Sequence, residues 1–154
     1  MFNPTSPVTG APQTGLTNPT YTLSADIAPT LDGKQFAVTA LGGTQTGVAV
    51  HSGPCPFTLT MVRPRVFKLL GQTNPVTGLV SSVPMNVYNH ILRKGMLPLA
   101  GQPYKTALFR LSMEIPAGAE VADAISIRAA LSCLFGAAWA NSSAYGDTVV
   151  QNLL

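Results

Sequence analysis

The side chains that do acid–base, nucleophilic or metal chemistry are few in this chain and stand apart. His51 and His90 are the only histidines, and neither has a cysteine or carboxylate at ligand spacing. Zinc needs a denser donor set than that. The carboxylates fall into two end groups, Asp26 and Asp32 before the middle and Glu114, Glu120, Asp123 and Asp147 after it. Cys55 stands between Pro54 and Pro56, and Cys133 lies in an apolar stretch, so no disulfide framework is expected. No phosphate-loop or nucleophile-elbow pattern occurs. Gly42-Gly43 reads as a turn because no helix follows, and Asn141-Ser142-Ser143 reads as a helix boundary. The expectation is a protein with no catalytic residue, no metal, no cofactor and no small-molecule substrate.

What remains is basic and hydroxyl-bearing. Lys34, Arg63, Arg65, Lys68, Arg93, Lys94, Lys105 and Arg110 occupy a stretch from Gly33 to Met113 that holds no acidic residue. A block this one-sided binds polyanions where its side chains share a face. Thr58, Thr60, Arg63 and Arg65 fall on one expected strand, Asn89 and Arg93 on a second, and Arg110 and Ser112 on a third. Arginine contacts phosphate and stacks on bases, while threonine, serine and asparagine pair with base edges and ribose hydroxyls. If the three strands are neighbours, these residues form a platform for single-stranded RNA. Tyr88 and His90 are further candidates for stacking, on a face that the pattern leaves open.

The elements that position them follow from periodicity. Residues 1–20 are rich in Pro, Thr, Gly and Asn and read as an extended arm or a weak first hairpin. From 21 to 115 short apolar and β-branched runs alternate with turn residues, the pattern of strands. Strands are expected over Phe36–Leu41, Thr44–His51, Phe57–Leu70, Asn86–Lys94 and Lys105–Ile115, with Pro64 marking an edge, bend or bulge. Ala107, Phe109, Leu111, Met113 and Ile115 alternate with Thr106, Arg110, Ser112 and Glu114, so one face of that strand is apolar. After residue 118 the period becomes helical. Asp123 is an expected N-cap, and Ile127, Leu131, Leu134, Phe135, Ala138 and Trp139 recur at helical spacing. A shorter helix is expected within Ser143–Leu153. The layout is α+β, a single domain over 1–154 with a sheet region at 21–115 and helices at 119–154.

Composition adds a constraint. Charged residues are 10% of 154, against about 25% in typical soluble domains. Mean hydropathy is +0.28 and net charge +3. The first helix is apolar nearly all round, and so few charges cover a free surface poorly. Both observations are met if apolar faces are buried between subunits, with Ile127, Leu131, Leu134, Phe135 and Trp139 at a dimer interface. The N-terminal residues carry no signal-peptide pattern. The longest apolar run, Ala129–Ala140, is too short for a membrane span.

In order and spacing, TALGGTQTGV (39–48), PFTLTMVRPRV (56–66), VPMNVYNHILRKG (83–95), YKTALFRLSMEIPAG (104–118), IRAALS (127–132) and GDTVV (146–150) resemble the coat proteins of single-stranded RNA bacteriophages, the levivirus-like family. The resemblance covers nearly the whole chain. It implies an N-terminal β-hairpin, a five-stranded antiparallel sheet and two C-terminal helices. It further implies an intertwined dimer whose sheets join edge to edge, with helices crossed over the partner's sheet. Such dimers form an icosahedral shell around genomic RNA, in a virion made in a bacterial cytoplasm. The loop at 95–104 is then expected near the shell's symmetry axes. By strand position, the family's RNA-facing positions fall on Thr58, Thr60, Asn89, Arg93, Arg110 and Ser112. Val87 and Ile91 stand where relatives often carry polar or basic groups, and Leu108 where some carry an aromatic. General RNA contact is therefore expected ahead of hairpin recognition and repression of replicase translation. The competing reading is a dimeric cytosolic RNA-binding regulator that does not assemble.

Overall fold

The computed structural model describes residues 1–153. Its strands are β1 (Val8–Thr9), β2 (Thr17–Asp26), β3 (Gly33–Thr44), β4 (Phe57–Val62), β5 (Met85–Met96) and β6 (Lys105–Pro116). Three helices follow, α1 (Ala119–Ala122), α2 (Ala124–Ala140) and α3 (Ser142–Gln151). All strands join one antiparallel sheet in chain order, with the two-residue β1 at one edge and the long β6 at the other. The layout is α+β with helices after the sheet, as expected, but the N-terminal β1–β2 hairpin joins the same six-stranded sheet, and the four-residue α1 precedes the two expected helices.

Three expected boundaries move, each for a local reason. The strand expected at Phe57–Leu70 ends at Val62. Pro64 lacks the N–H that would continue the ladder. Arg63 and Arg65 consequently leave the sheet. The strand expected at Thr44–His51 is absent, because β3 runs through Gly42-Gly43 to Thr44 and the chain then loops to Pro56. There Gly43 has φ +72, and a Cβ on it would collide with the backbone of Thr17 and Asn18. The glycine pair thus permits close approach of β2 rather than a turn. The first arm is also shorter than expected, since β2 already starts at Thr17.

Register decides which side chains share a face. Leu59 stands opposite Phe36 and Leu92, and Leu92 opposite Phe109. The same parity gathers Phe57, Met61, Leu111 and Met113 with them. Phe2 folds back onto this apolar face, its ring edge-on to Phe36 and His90 at 5.9 and 5.3 Å. Lys94 is engaged here as well. Its ammonium donates to Ala49 O at 2.7 Å and sits 4.6 Å from the Phe57 ring centroid. An open apolar groove of about 280 Å³ remains, lined by Val8, Tyr21, Leu23, Val38, Phe57, Leu59 and Leu92. Buried apolar side chains among the described residues are few: Pro19, Ala37, Val38, Cys55, Phe57 and Ala117. That is a thin core for a domain of this length.

The helices explain part of the deficit. Asp123 caps α2 as expected, its carboxylate accepting from Ser126 N at 3.2 Å. Alanine, the best helix former, fills much of α2. Yet α2 has no buried residue, and Leu134, Phe135 and Trp139 are about half exposed. α1 packs beside β6, while α3 is clasped by the β1–β2 loop. In that clasp Gln13 Nε2 donates to Ser142 O at 2.6 Å and Thr14 Oγ1 to Asp147 Oδ2 at 3.0 Å. No single helix among the described residues is long and apolar enough to cross a membrane, and α2 and α3 meet at a 62° bend.

His90 marks the apolar face as a titratable position. Burial lowers its pKa below the ordinary value, and its Nε2 is buried without a hydrogen-bond partner. The unfolded chain therefore takes up a proton at a higher pH than the native one. Stability should be full above the ordinary histidine value of about 6.5 and fall as pH drops toward the depressed native value. Denaturation midpoints from pH 7.5 down to 5 should decline in the native protein, with a smaller decline in His90→Gln. Equal slopes in the two proteins would refute the assignment.

Candidate nucleic-acid interface

The opposite parity makes the second face. Thr58 stands opposite Arg93, which stands opposite Leu108. Thr60 stands opposite Ile91, and Ile91 opposite Arg110; Val62 stands opposite Asn89, and Asn89 opposite Ser112. Thr58, Thr60, Asn89, Arg93, Arg110 and Ser112 therefore share one side of three adjacent strands. Arg93 and Arg110 are diagonal neighbours on β5 and β6, a separation of roughly 7–8 Å between backbone positions.

The residues on this face are not equally available. Arg110 and Ser112 are exposed on β6, and Asn89 and Arg93 are half-buried on β5. Thr58 and Thr60 are buried, at 3% and 0% exposure, so their hydroxyls lie beneath their neighbours. Thr60 Oγ1 donates to Gln35 Oε1 at 2.8 Å, and Gln35 Nε2 donates onward to Asp26 Oδ2 at 2.7 Å. Thr58 Oγ1 is buried with no partner. Tyr88 and His90, the candidates for base stacking, have the parity of the apolar face and do not belong to this one.

Arg63 and Arg65 arrive by a different route. Having left the sheet after Val62, they line a cleft of about 580 Å³ together with Val62, Val87, Asn89 and the turn Pro29–Asp32. Val62, Val87 and Asn89 belong to the polar face by register, so the cleft opens at its end. Arg63 faces Asp32 at 3.8 Å, the single ion pair among the described residues. Arg65, Arg93 and Arg110 thus carry unpaired charge. Elsewhere the linear count of basic residues overstates the platform. Lys34 and Lys94 have the parity of the apolar face, and Lys34 Nζ donates to Phe2 O at 3.3 Å.

Gln35 is the residue that sequence reasoning missed. It ties the buried Thr60 to the acidic end of β2, and nothing in local pattern marks it. Only the pairing of β3 with both β2 and β4 brings the three groups together. Among the described residues no cluster of three or more His, Cys, Asp or Glu is placed to hold a metal ion. What the face can do chemically is hold an anionic, hydrogen-bonding polymer.

No protein-family model matches this sequence, and no curated protein matches it. A solved structure does. The chain of the virus-like particle of bacteriophage ESE020 is 45% identical, with 100% of both chains covered and a TM-score of 0.96.

The hydrogen-bond chain beneath the polar face has its own signature. The Gln35 amide, with the Ile27 backbone N–H second, holds the Asp26 carboxyl below its ordinary pKa. Replacing Gln35 with Leu removes the larger cause, so the Asp26 titration followed by NMR should move up toward the ordinary carboxylate value. An Asp26 curve that does not move in Gln35→Leu would show that this hydrogen bond is not formed in solution.

Proposed function

The chain belongs to the bacteriophage coat proteins, and on that premise we propose that it dimerises, closes into an icosahedral shell and packages single-stranded RNA against its polar sheet face. The observation that carries the RNA reading is the shared face of Arg93, Arg110, Asn89 and Ser112, beside a cleft rimmed by Arg65. The two unpaired arginines on adjacent strands supply sequence-independent phosphate contact. Asn89 and Ser112 supply hydrogen bonds to sugars and exposed base edges. Leu108, Val87 and Ile91 set apolar side chains among these positions, which favours contact with the RNA backbone over recognition of one hairpin. Thr58 and Thr60 serve the site from below, as part of the strand that holds Arg93 in place.

Dimerisation is supported by what a single chain leaves uncovered. The apolar groove on the sheet and the apolar side of α2 are complementary in character. β6 is an edge of twelve residues whose outward backbone groups have no strand partner. Long open edges invite pairing with another chain. A second copy meets both needs at once, pairing at β6 and covering each groove with the other chain's α2.

Two experiments test this reading. Particles of the Arg93→Ala, Arg110→Ala double variant should hold less RNA by ultraviolet absorbance ratio. The log–log salt slope of RNA binding should fall by roughly 0.7 for each phosphate that the variant no longer neutralises. RNA content equal to that of the native particle would refute the assignment of the face. Phe135→Asp places a charge on the uncovered side of α2, and sedimentation should then find monomer in place of dimer. A dimer that persists at native affinity would overturn the role given to α2.

A further inference from the structure

The connection from β4 to β5 occupies residues 63–84, far beyond the median loop of about 4–6 residues. It is an ordered excursion. At its base the buried Asn86 side chain accepts from Lys68 N at 2.8 Å and donates to Lys68 O at 2.9 Å. Leu70 packs against Gly118 ahead of α1, where a Cβ would come within 3.3 Å of it. At its tip Thr73 bridges Val80, and Asn74 closes the turn by accepting from Val76 N and Thr77 N on its side chain and from Gly78 N on its carbonyl. Several backbone groups at the base and the tip are thus satisfied within the loop, while its apolar side chains are not covered. Val76 is 90% exposed and Leu79 70%, and Val66, Leu69 and Val83 are also exposed. Lys68 is the single charged residue between 66 and 84.

A fixed hairpin with an apolar, nearly uncharged tip is built to meet protein. RNA is a poor occupant, because the tip offers no cation. The chain's own partner in a dimer is served by other surfaces, β6 and α2. The hairpin is attached at the end of the sheet where Met85 pairs with Pro116, held there by the Lys68–Asn86 bonds and by Leu70 against Gly118, and strand ends are where a layer of sheets must meet its neighbours. We propose that the hairpin at residues 71–82 is a contact between dimers, its Val76 and Leu79 packing against a second copy of this chain in an adjacent dimer. This inference rests on the shell reading and adds the surface that joins one dimer to the next.

The test is the double variant Val76→Asp, Leu79→Asp. It should form dimers with native far-ultraviolet circular dichroism and native RNA affinity, yet yield at least about tenfold fewer particles by electron microscopy and sedimentation. Particles at native yield would overturn the proposal, and so would loss of the dimer, which would assign the hairpin to the interface within dimers. Hydrogen exchange on the unmodified protein gives a reading that does not depend on the variant folding. Amides of residues 73–80 should exchange about tenfold more slowly in intact particles than in dimers released from them. Equal exchange in the two states would overturn the hairpin contact and leave the shell reading standing. Failure of the native protein to form any particle would instead sink the shell reading itself.

Discussion

Apolar surface that one chain cannot bury is the constraint on which the rest of this molecule depends. Alternation along β4 and β6 commits every second side chain to one face, and pairing of both with β5 adds those faces together rather than cancelling them. The product is a broad apolar sheet surface closed in part by Phe2 and by Lys94 lying across Phe57. The groove that remains exposes apolar area whose transfer from water is worth roughly 25 cal/mol per Å². α2 carries the same excess on a helix. Each surface is the kind of cover the other requires. On the proposed reading the exposed faces are mostly interfaces, and such a chain needs few charges.

The same alternation makes the polar face, without further design. Once one parity is apolar, the other must face away from the core, and its residues meet at the spacing of neighbouring strands. Arg93 and Arg110 need no loop, metal or strained backbone to come together; antiparallel pairing of β5 and β6 does it. The threonines of β4 then take a different part from the arginines. They lie buried beneath the face, one of them tied to Gln35. Cationic side chains at the spacing of neighbouring strands suit a polymer whose phosphates recur along its length.

Much of this was legible in the chain. Period-two alternation in 105–115 marked both faces of β6, and the change of period after 118 marked α2 with its Asp123 cap. The six positions on β4 to β6 are what the resemblance implies by strand position, since alternation along 86–94 is too poor to assign a face by itself. The misses have physical causes. Pro64 reads equally as a bulge inside a strand or as its end, and only the broken ladder after Val62 decides. Gly42-Gly43 has the composition of a turn, but its glycines answer to the backbone of β2, which is distant in sequence. The count of eight basic residues between Gly33 and Met113 is a statement about the line of the chain. In space Lys34 and Lys94 fold onto the apolar face, and Arg63 is drawn to Asp32. Burial of Thr58 and Thr60 depends on what lies on β3 and β5, which no reading of β4 alone supplies.

The division of surfaces argues for a layer rather than a free dimer. One face of the sheet is apolar, and the other is polar and carries unpaired arginines. On the proposed reading, in which helices of a second copy cover the first face and the second turns to RNA, a pair of chains joined at β6 keeps its strand ends free for contact. At one end stands the 71–82 hairpin, fixed at its base through Asn86 and apolar at its tip. At the other stands the loop 97–104, where Leu97 and Leu99 are exposed. A dimer that worked alone would gain nothing from exposing apolar side chains at both ends and would suffer their cost in solubility. On the proposed reading those ends are where neighbours meet in a closed shell. Side chains that are a liability in the isolated chain then become the contacts that extend the layer.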